Sequence, residues 1–377
     1  MFSFVFLCFL KARFADMPLK KEKPMMKKLI LSLLALVVTG VAHAQGMKET
    51  DPAFFKTAEA QRIGDQMLIY QRVTGGWPKN IDMAKPMSEA EKAQVKSEYD
   101  RRNDSTTDNG ATTTQMLFLA RLWQATGKKQ YAKAFCRGVE YLLSGQYENG
   151  GWPQFWPVMR DYQIHITFND DAMVNTMNLL REIADQKEPF QGKLTSKKLR
   201  QRCSKAFDKG VECILKTQIR DANGNLTVWC QQHDRETFLP ANARAFELAS
   251  YCSQESAAIV KLLMLLPNPD DRVKQAVHAA MRWFDEHKIE GKRVEVVRDE
   301  KGKKVDTRLV DDAQAGPLWA RYYDLENDEP FVCDRDGVPR KHLEDIGLER
   351  RNGYSWYNDR PADLYKRYAK WCKKYDK

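Results

Sequence analysis

Several familiar signatures are missing from this 377-residue chain. Its eight cysteines include no Cys-x-x-Cys pair, which removes the usual spacing of a zinc site. No glycine-rich phosphate fingerprint appears, and no strand–helix alternation predicts a parallel sheet, so nucleotide-binding α/β folds are excluded. No basic patch accompanies a reading helix, and nucleic acid is not the expected partner despite a formal net charge of +10. Long apolar runs are scarce too. The one after Met25-Met26-Lys27-Lys28, residues 29–38, is too short to span a bilayer and leads to Ala42-His43-Ala44. A basic start, an apolar stretch and a small-x-small site make a bacterial secretory signal. Residues 1–44 are therefore expected to be an upstream extension plus a removable leader. Residues 45–377 are expected to form one exported domain, periplasmic or secreted, monomeric and free of the membrane. That domain keeps a modest positive excess, which favours acidic partners. It also keeps seven cysteines, which permit disulfides without fixing their pairing; buried free thiols are the expected fate of several.

With 43% hydrophobic and 30% charged residues, the chain is globular and can bury a large core. Its organising element is Asn149-Gly150-Gly151-Trp152-Pro153-Gln154, with weaker copies at Thr74-Gly75-Gly76-Trp77-Pro78 and Asn223-Gly224-Asn225 to Trp229. Gly76, Gly150 and Gly224 recur every 74 residues, each after one helix-like segment and before a polar loop that leads into another. A fixed period with one supersecondary unit per copy signals a repeat architecture. Apolar spacing predicts helices over 58–73, 111–125, 131–143, 170–184, 197–217, 273–287 and 361–375, and one or two within 244–266. Residues 291–316 read as a hairpin, and 79–107 as a long polar loop. The fold expected is mainly α: helical hairpins with long rim loops and a few short strands, closing into a toroid. A tryptophan such as Trp152 on the rim either offers a flat face to a sugar or plugs the end of the core.

Two acidic clusters open helices after the first two rim loops, Thr107-Asp108-Asn109 and Asn169-Asp170-Asp171; Asn242-Ala243-Arg244 stands at the corresponding place after the third. Singly, each aspartate reads as a helix cap. Together, in a toroid, they converge on one mouth. Oxygen donors from Asp108, Asn109, Asp170 and Asp171 suit Ca²⁺ better than a transition metal. A cation bridging protein carboxylates to a uronate carboxylate acidifies the neighbouring C–H, which is what β-elimination across a 4-linked uronate requires. His165 and His233, also on rim loops, read either as acid–base groups or as structural hydrogen-bond partners.

Six motifs, in order, resemble the family-10 pectate lyases. They are Thr107-Asp108-Asn109-Gly110-Ala111-Thr112-Thr113, Asn149-Gly150-Gly151-Trp152-Pro153-Gln154, Thr167-Phe168-Asn169-Asp170-Asp171-Ala172-Met173, Ala243-Arg244-Ala245-Phe246-Glu247, Pro317-Leu318-Trp319-Ala320-Arg321-Tyr322-Tyr323 and Arg350-Arg351-Asn352-Gly353-Tyr354-Ser355-Trp356-Tyr357. The resemblance covers most of residues 50–370. It implies an (α/α)₃ toroid and calcium-dependent anti β-elimination of polygalacturonate. It sets Asp108 and Asp170 at the calcium and substrate carboxylate with Asn109 beside them, and Arg244 at the position of the proton-abstracting arginine. Arg321 and Arg335 are the expected partners of substrate carboxylates. One departure is the two extra residues, Asn242 and Ala243, before the arginine motif. Two other readings stand beside this one: a glycoside hydrolase using Asp108 and Asp170 as acid and base, and an exported pectin-binding protein without activity.

Overall fold

The computed structural model describes residues 46–376; the predicted leader and its cleavage site lie outside the described residues. The apolar-periodic segments fold as helices. They are α1 (Ala58–Tyr70), α2 (Glu89–Ser97), α3 (Thr113–Thr126), α4 (Lys129–Gly145), α5 (Ala172–Ala184), α6 (Lys197–Thr217), α7 (Ser253–Met264), α8 (Asp271–Glu286), α9 (Leu348–Gly353) and α10 (Ala362–Tyr375). Hydroxyl and carboxylate caps at Thr57, Ser196 and Asp270 start α1, α6 and α8 by accepting backbone N–H bonds inside the first turn.

Three hairpins follow one another, α3 on α4, α5 on α6 and α7 on α8. The first helices of the pairs pack in series, α3 to α5 to α7, and the second helices do likewise, α4 to α6 to α8. The inner row is apolar nearly all round: α7 buries Ile259, Val260, Leu262 and Leu263 on successive faces. The outer helices bury one stripe each; in α8 it runs through Val273, Val277, Ala280 and Phe284. Helix α1 leans on α3 and α4, and α10 on α7. The result is the expected mainly helical (α/α)₃ toroid. Among the described residues no helix is long and apolar enough to cross a membrane.

Short strands fasten the rim. β1 (Ile166–Thr167) pairs antiparallel with β2 (Gln232–His233), joining the second and third rim loops. A hairpin forms from β4 (Lys292–Arg298) and β5 (Lys304–Asp311), as predicted. β6 (Trp319–Ala320) pairs with β10 (Tyr357–Asn358). A small sheet runs in the order β3 (Tyr251–Cys252), β7 (Tyr322–Tyr323), β8 (Pro330–Cys333), β9 (Pro339–Arg340).

The rim element serves the outer helices. The last carbonyls of a helix have no partner within it. Trp77, Trp152, Trp229 and Trp319, all buried, donate their indole N–H to Met67, Leu142, Ile214 and Phe284 at 2.7, 2.8, 2.7 and 2.8 Å. These four acceptors lie in the last turns of α1, α4, α6 and α8. The repeat therefore has a fourth copy at Trp319 that glycine spacing does not reveal. The left-handed glycines are Gly75, Gly150 and Gly224 (φ 92°, 94° and 83°), so the equivalent of Gly150 in the first copy is Gly75 rather than Gly76.

Two expectations are corrected. The loop 79–107 contains α2, started by a reciprocal Ser88–Glu91 capping box. Residues 244–250 are not helical: Ala243 N bonds Glu247 O, Glu247 N bonds Arg244 O and Ala249 N bonds the Asn242 side chain, at 2.7–2.8 Å. The helix begins only at Ser253. All seven cysteines among the described residues are free thiols, five of them buried.

Candidate active site

The residue two places after each rim tryptophan points to the middle. After Trp77 it is Lys79 and after Trp152 it is Gln154; both hold Asp108 Oδ2, Gln154 Nε2 at 3.0 Å and Lys79 Nζ as an ion pair. After Trp229 it is Gln231, and after Trp319 it is Arg321. Arg321 is 3% exposed; its Nη2 bonds Glu255 Oε1 at 2.5 Å and Asn169 Oδ1 at 2.7 Å, and lies 3.5 Å from Asp170 Oδ1. Burial works against that charge, but Glu255, the two neighbouring tyrosines and Asp170 outweigh it and keep the guanidinium protonated.

The acidic clusters superpose with a shift of one residue. Asp108 and Asn169 are the buried members, and Asn109 and Asp170 follow in the left-handed conformation at φ 51° and 50°. Asp108 is held from behind by its backbone N–H on Thr106 Oγ1, 3.0 Å, while Thr106 Oγ1 donates to Gln154 O. Its Oδ1 is buried with no hydrogen-bond partner. Burial raises the pKa of Asp170; Arg321 opposes that, Asp108 and Glu247 add to it, and Arg244 lowers it again. Tyr162, half-buried on the second rim loop, has its pKa raised by burial and senses the charges of Arg244, Glu247 and Asp108. Asp108, Asp170 and Arg244 thus come from three separate rim segments into one electrostatic neighbourhood.

Arg244 sits on the turn before α7, not at its start. Its Nε bonds Glu247 Oε2 at 2.7 Å and its Nη2 pairs with Oε1, and the guanidinium lies 4.7 Å from the Phe246 ring centre. Glu247 is completely buried, while the arginine side chain is 43% exposed. That pairing raises the Arg244 pKa, burial notwithstanding. Arg350 and Arg335 approach the same Phe246 ring at 4.4 and 5.8 Å, both tied to Glu349.

Not every expected site residue joins the cluster in the expected way. Trp152 is 3% exposed and spent on the end of α4, which leaves no open ring face for a sugar. Asp171, at φ 61°, turns away and forms an ion pair with Arg360, so it does not face Asp108. Arg321 is sequestered behind Asp170, which corrects its expected place against substrate. Arg335 is exposed, and Asn109 donates its side-chain N–H to Asn80 at 3.0 Å on the open side. His233 is locked neutral, Nε2 accepting from Cys230 N and Nδ1 donating to Phe238 O; burial takes its pKa down to about 4. Lys79, Gln154, Glu247, Glu255 and Tyr354 escaped the sequence reading. For the first two, and for Gln231, position relative to the tryptophan was the available signal.

Asp108 and Asp170 put two carboxylates from adjoining rim segments into one neighbourhood, and Asp108 Oδ1 is a buried acceptor without a partner. Comparison with known proteins bears on this. The model of a family described as pectic acid lyase matches residues 71–365. The family 10 polysaccharide lyase from Cellvibrio cellulosa has a similar structure, with a TM-score of 0.73 at 32% identity over 87% of this chain and 94% of that one. A mutant of a family 10 polysaccharide lyase from the same organism, in complex with trigalacturonic acid, also matches with a TM-score of 0.73, at 34% identity over 82% and 92%. No curated protein matches the chain.

Proposed function

The chain belongs to the pectic acid lyase family, the family 10 polysaccharide lyases, and from that premise we propose that it cleaves α-1,4-linked polygalacturonate by calcium-dependent anti β-elimination. Asp108 and Asp170, with Asn109 beside them, would hold the calcium ion. When bound, the ion supplies the charge that draws electron density from the uronate carboxylate and acidifies the hydrogen on C5. Arg244 offers Nη1, the nitrogen not used by Glu247, to that hydrogen. The proton passes from C5 to the guanidine, the C5 electron pair forms the C4=C5 double bond, and the C4–O bond breaks with the departing sugar oxygen taking a proton from solvent. Arg335, exposed beside Phe246, suits a carboxylate farther along the chain. The supporting observation is the convergence of Asp108, Asp170 and Arg244 on one site, with a buried carboxylate oxygen there left unpartnered.

The accepting form of Arg244 is the neutral guanidine, which its pairing with Glu247 disfavours. Turnover is therefore expected to climb through the alkaline range. The test is to incubate the protein with polygalacturonate and follow near-ultraviolet absorbance of unsaturated ends, with calcium and after chelation. Activity that needs calcium and yields unsaturated oligogalacturonides is expected. Saturated products made equally well in chelator would favour a hydrolase using Asp108 and Asp170. The leader read at Met25 to Ala44 supports action outside the cytoplasm.

A further inference from the structure

Arg244 does not stand alone. Both carboxylate oxygens of Glu247 grip it, Oε2 taking Nε at 2.7 Å and the backbone N–H at 3.2 Å. Behind the carboxylate, the Tyr354 hydroxyl donates to Oε1 at 2.8 Å. Behind that, Tyr322 Oη lies 2.5 Å from Tyr354 Oη and 2.7 Å from the Gln231 side chain. All of these except Tyr354, which is partly buried, are wholly buried.

Counting hydrogens gives the chain a direction. Tyr354 has one hydroxyl hydrogen and commits it to Glu247, so Tyr322 must give its own to Tyr354. The Gln231 oxygen then has nothing to accept, while its Nε2 is buried and unpartnered. Turning the amide over, a choice that O and N positions leave open, lets Nε2 donate to Tyr322. Every donor then points one way: Gln231 to Tyr322 to Tyr354 to Glu247. Such a run strengthens its last member, because each bond polarises the next. Tyr354 has a second duty, since its ring lies 4.4 Å from the Arg321 guanidinium. One tyrosine thus spaces the arginine that holds Asp170 from the arginine that faces substrate.

Resting on the proposed lyase reading, we infer that Glu247 is the positioning residue of Arg244, and that Gln231, Tyr322 and Tyr354 form the buried hydrogen-bond chain that fixes Glu247. The fork occupies Nε and Nη2 and leaves Nη1 as the atom delivered to the sugar. A carboxylate is suited to this because it takes two parallel N–H bonds and cannot rotate away while Tyr354 holds one of its oxygens. The groups facing Arg244 from its surroundings are Glu247 on its own turn, Tyr354 after α9, Tyr162 on the second rim loop, Asp170 before α5 and Arg335 after β8. Among them Glu247 dominates, so its removal changes the protonation of Arg244 as well as its aim.

The experiment compares wild type, Glu247→Gln, Tyr354→Phe and the double variant on polygalacturonate with saturating calcium. Glu247→Gln is expected to lower kcat by about 10²-fold with KM little changed, since misaimed catalytic groups cost on that order. Its residual activity should also begin its alkaline rise at lower pH than wild type, which a merely structural role would not produce. Tyr354→Phe keeps the ring under Arg321 and deletes only the hydroxyl. It should lower kcat by about threefold to tenfold, with KM again unmoved. The double variant should lose little beyond Glu247→Gln, because the two residues act in one line. Wild-type kcat in either variant, or losses that appear in KM alone, would overturn the inference. If Glu247→Gln does not fold, Tyr354→Phe decides it alone. Failure of the lyase reading is separate: the wild type itself would then make no unsaturated product.

Discussion

Arg244 shows how much one side chain depends on its neighbours. A lysine there has a single ammonium, which cannot both occupy the two oxygens of Glu247 and present a further nitrogen outward. Arg244→Lys is accordingly expected to lose nearly all turnover while KM stays close to wild type, as steady-state kinetics would reveal. An active variant would remove Arg244 from the chemistry. At Asp108, Asn keeps the size and the bond to Gln154 but not the charge. Asp108→Asn should lower activity by about 10²- to 10³-fold and raise the calcium concentration for half-maximal rate; calcium titration of the variant checks it. At this scale the aspartates and Arg244 were legible because their residue types announce charge at a rim. Asp171 was misread because two successive left-handed residues, φ 50° and 61°, send adjacent carboxylates in different directions. Glu247 and Tyr354 were hidden for a different reason: they lie 107 residues apart and meet only through the fold.

Among the elements, the rim turn carries the most specific demands. A methyl added to Gly150 would stand 2.0 Å from the Lys209 carbonyl, whereas one added to Gly224 meets nothing. Both glycines have positive φ, so both substitutions incur about 1–2 kcal/mol of backbone strain. Gly150→Ala must in addition push apart two backbones. It should therefore unfold well before Gly224→Ala on denaturant titration, despite their equal rank in the repeat. Trp152→Phe removes the indole bond to Leu142 and part of the ring volume. About 1–3 kcal/mol of stability should go, with kcat retained in the folded fraction, because the ring faces the core and not the sugar. Helix positions were readable from apolar spacing to within a few residues, since burial of one face sets that period. The failure at 244–250 has a local cause. Ala245, Leu248 and Ala249 mimic helical spacing, but Asn242 and Glu247 draw the backbone N–H groups into a turn instead. The fourth repeat was invisible because the β4–β5 hairpin lengthens the interval before Trp319.

For the molecule as a whole, the toroid form was legible from the regular recurrence of the glycine–tryptophan element, since a helical hairpin cannot bury its inner face without neighbours. The way the site is shared among repeats was not. Each copy supplies one inward residue two places after its tryptophan, and their identities differ: Lys79, Gln154, Gln231, Arg321. A repeat search rewards sameness, and function resides in these differences. Removal of divalent cations should abolish lyase activity and lower the melting temperature, because ion binding to the folded state alone stabilises it. Calorimetry with and without chelator is the check. The wide spread of these contributors along the chain, from Lys79 to Tyr354, also bears on the protein's birth. A chain that has emerged only as far as β9 still lacks, among the residues free to fold, Tyr354 to brace Glu247 and Arg360 to hold Asp171. A chain emerged to that length would lack α9 and α10 and leave Glu247 without its brace, so full competence should arrive late, as the residues after β9 are threaded into place.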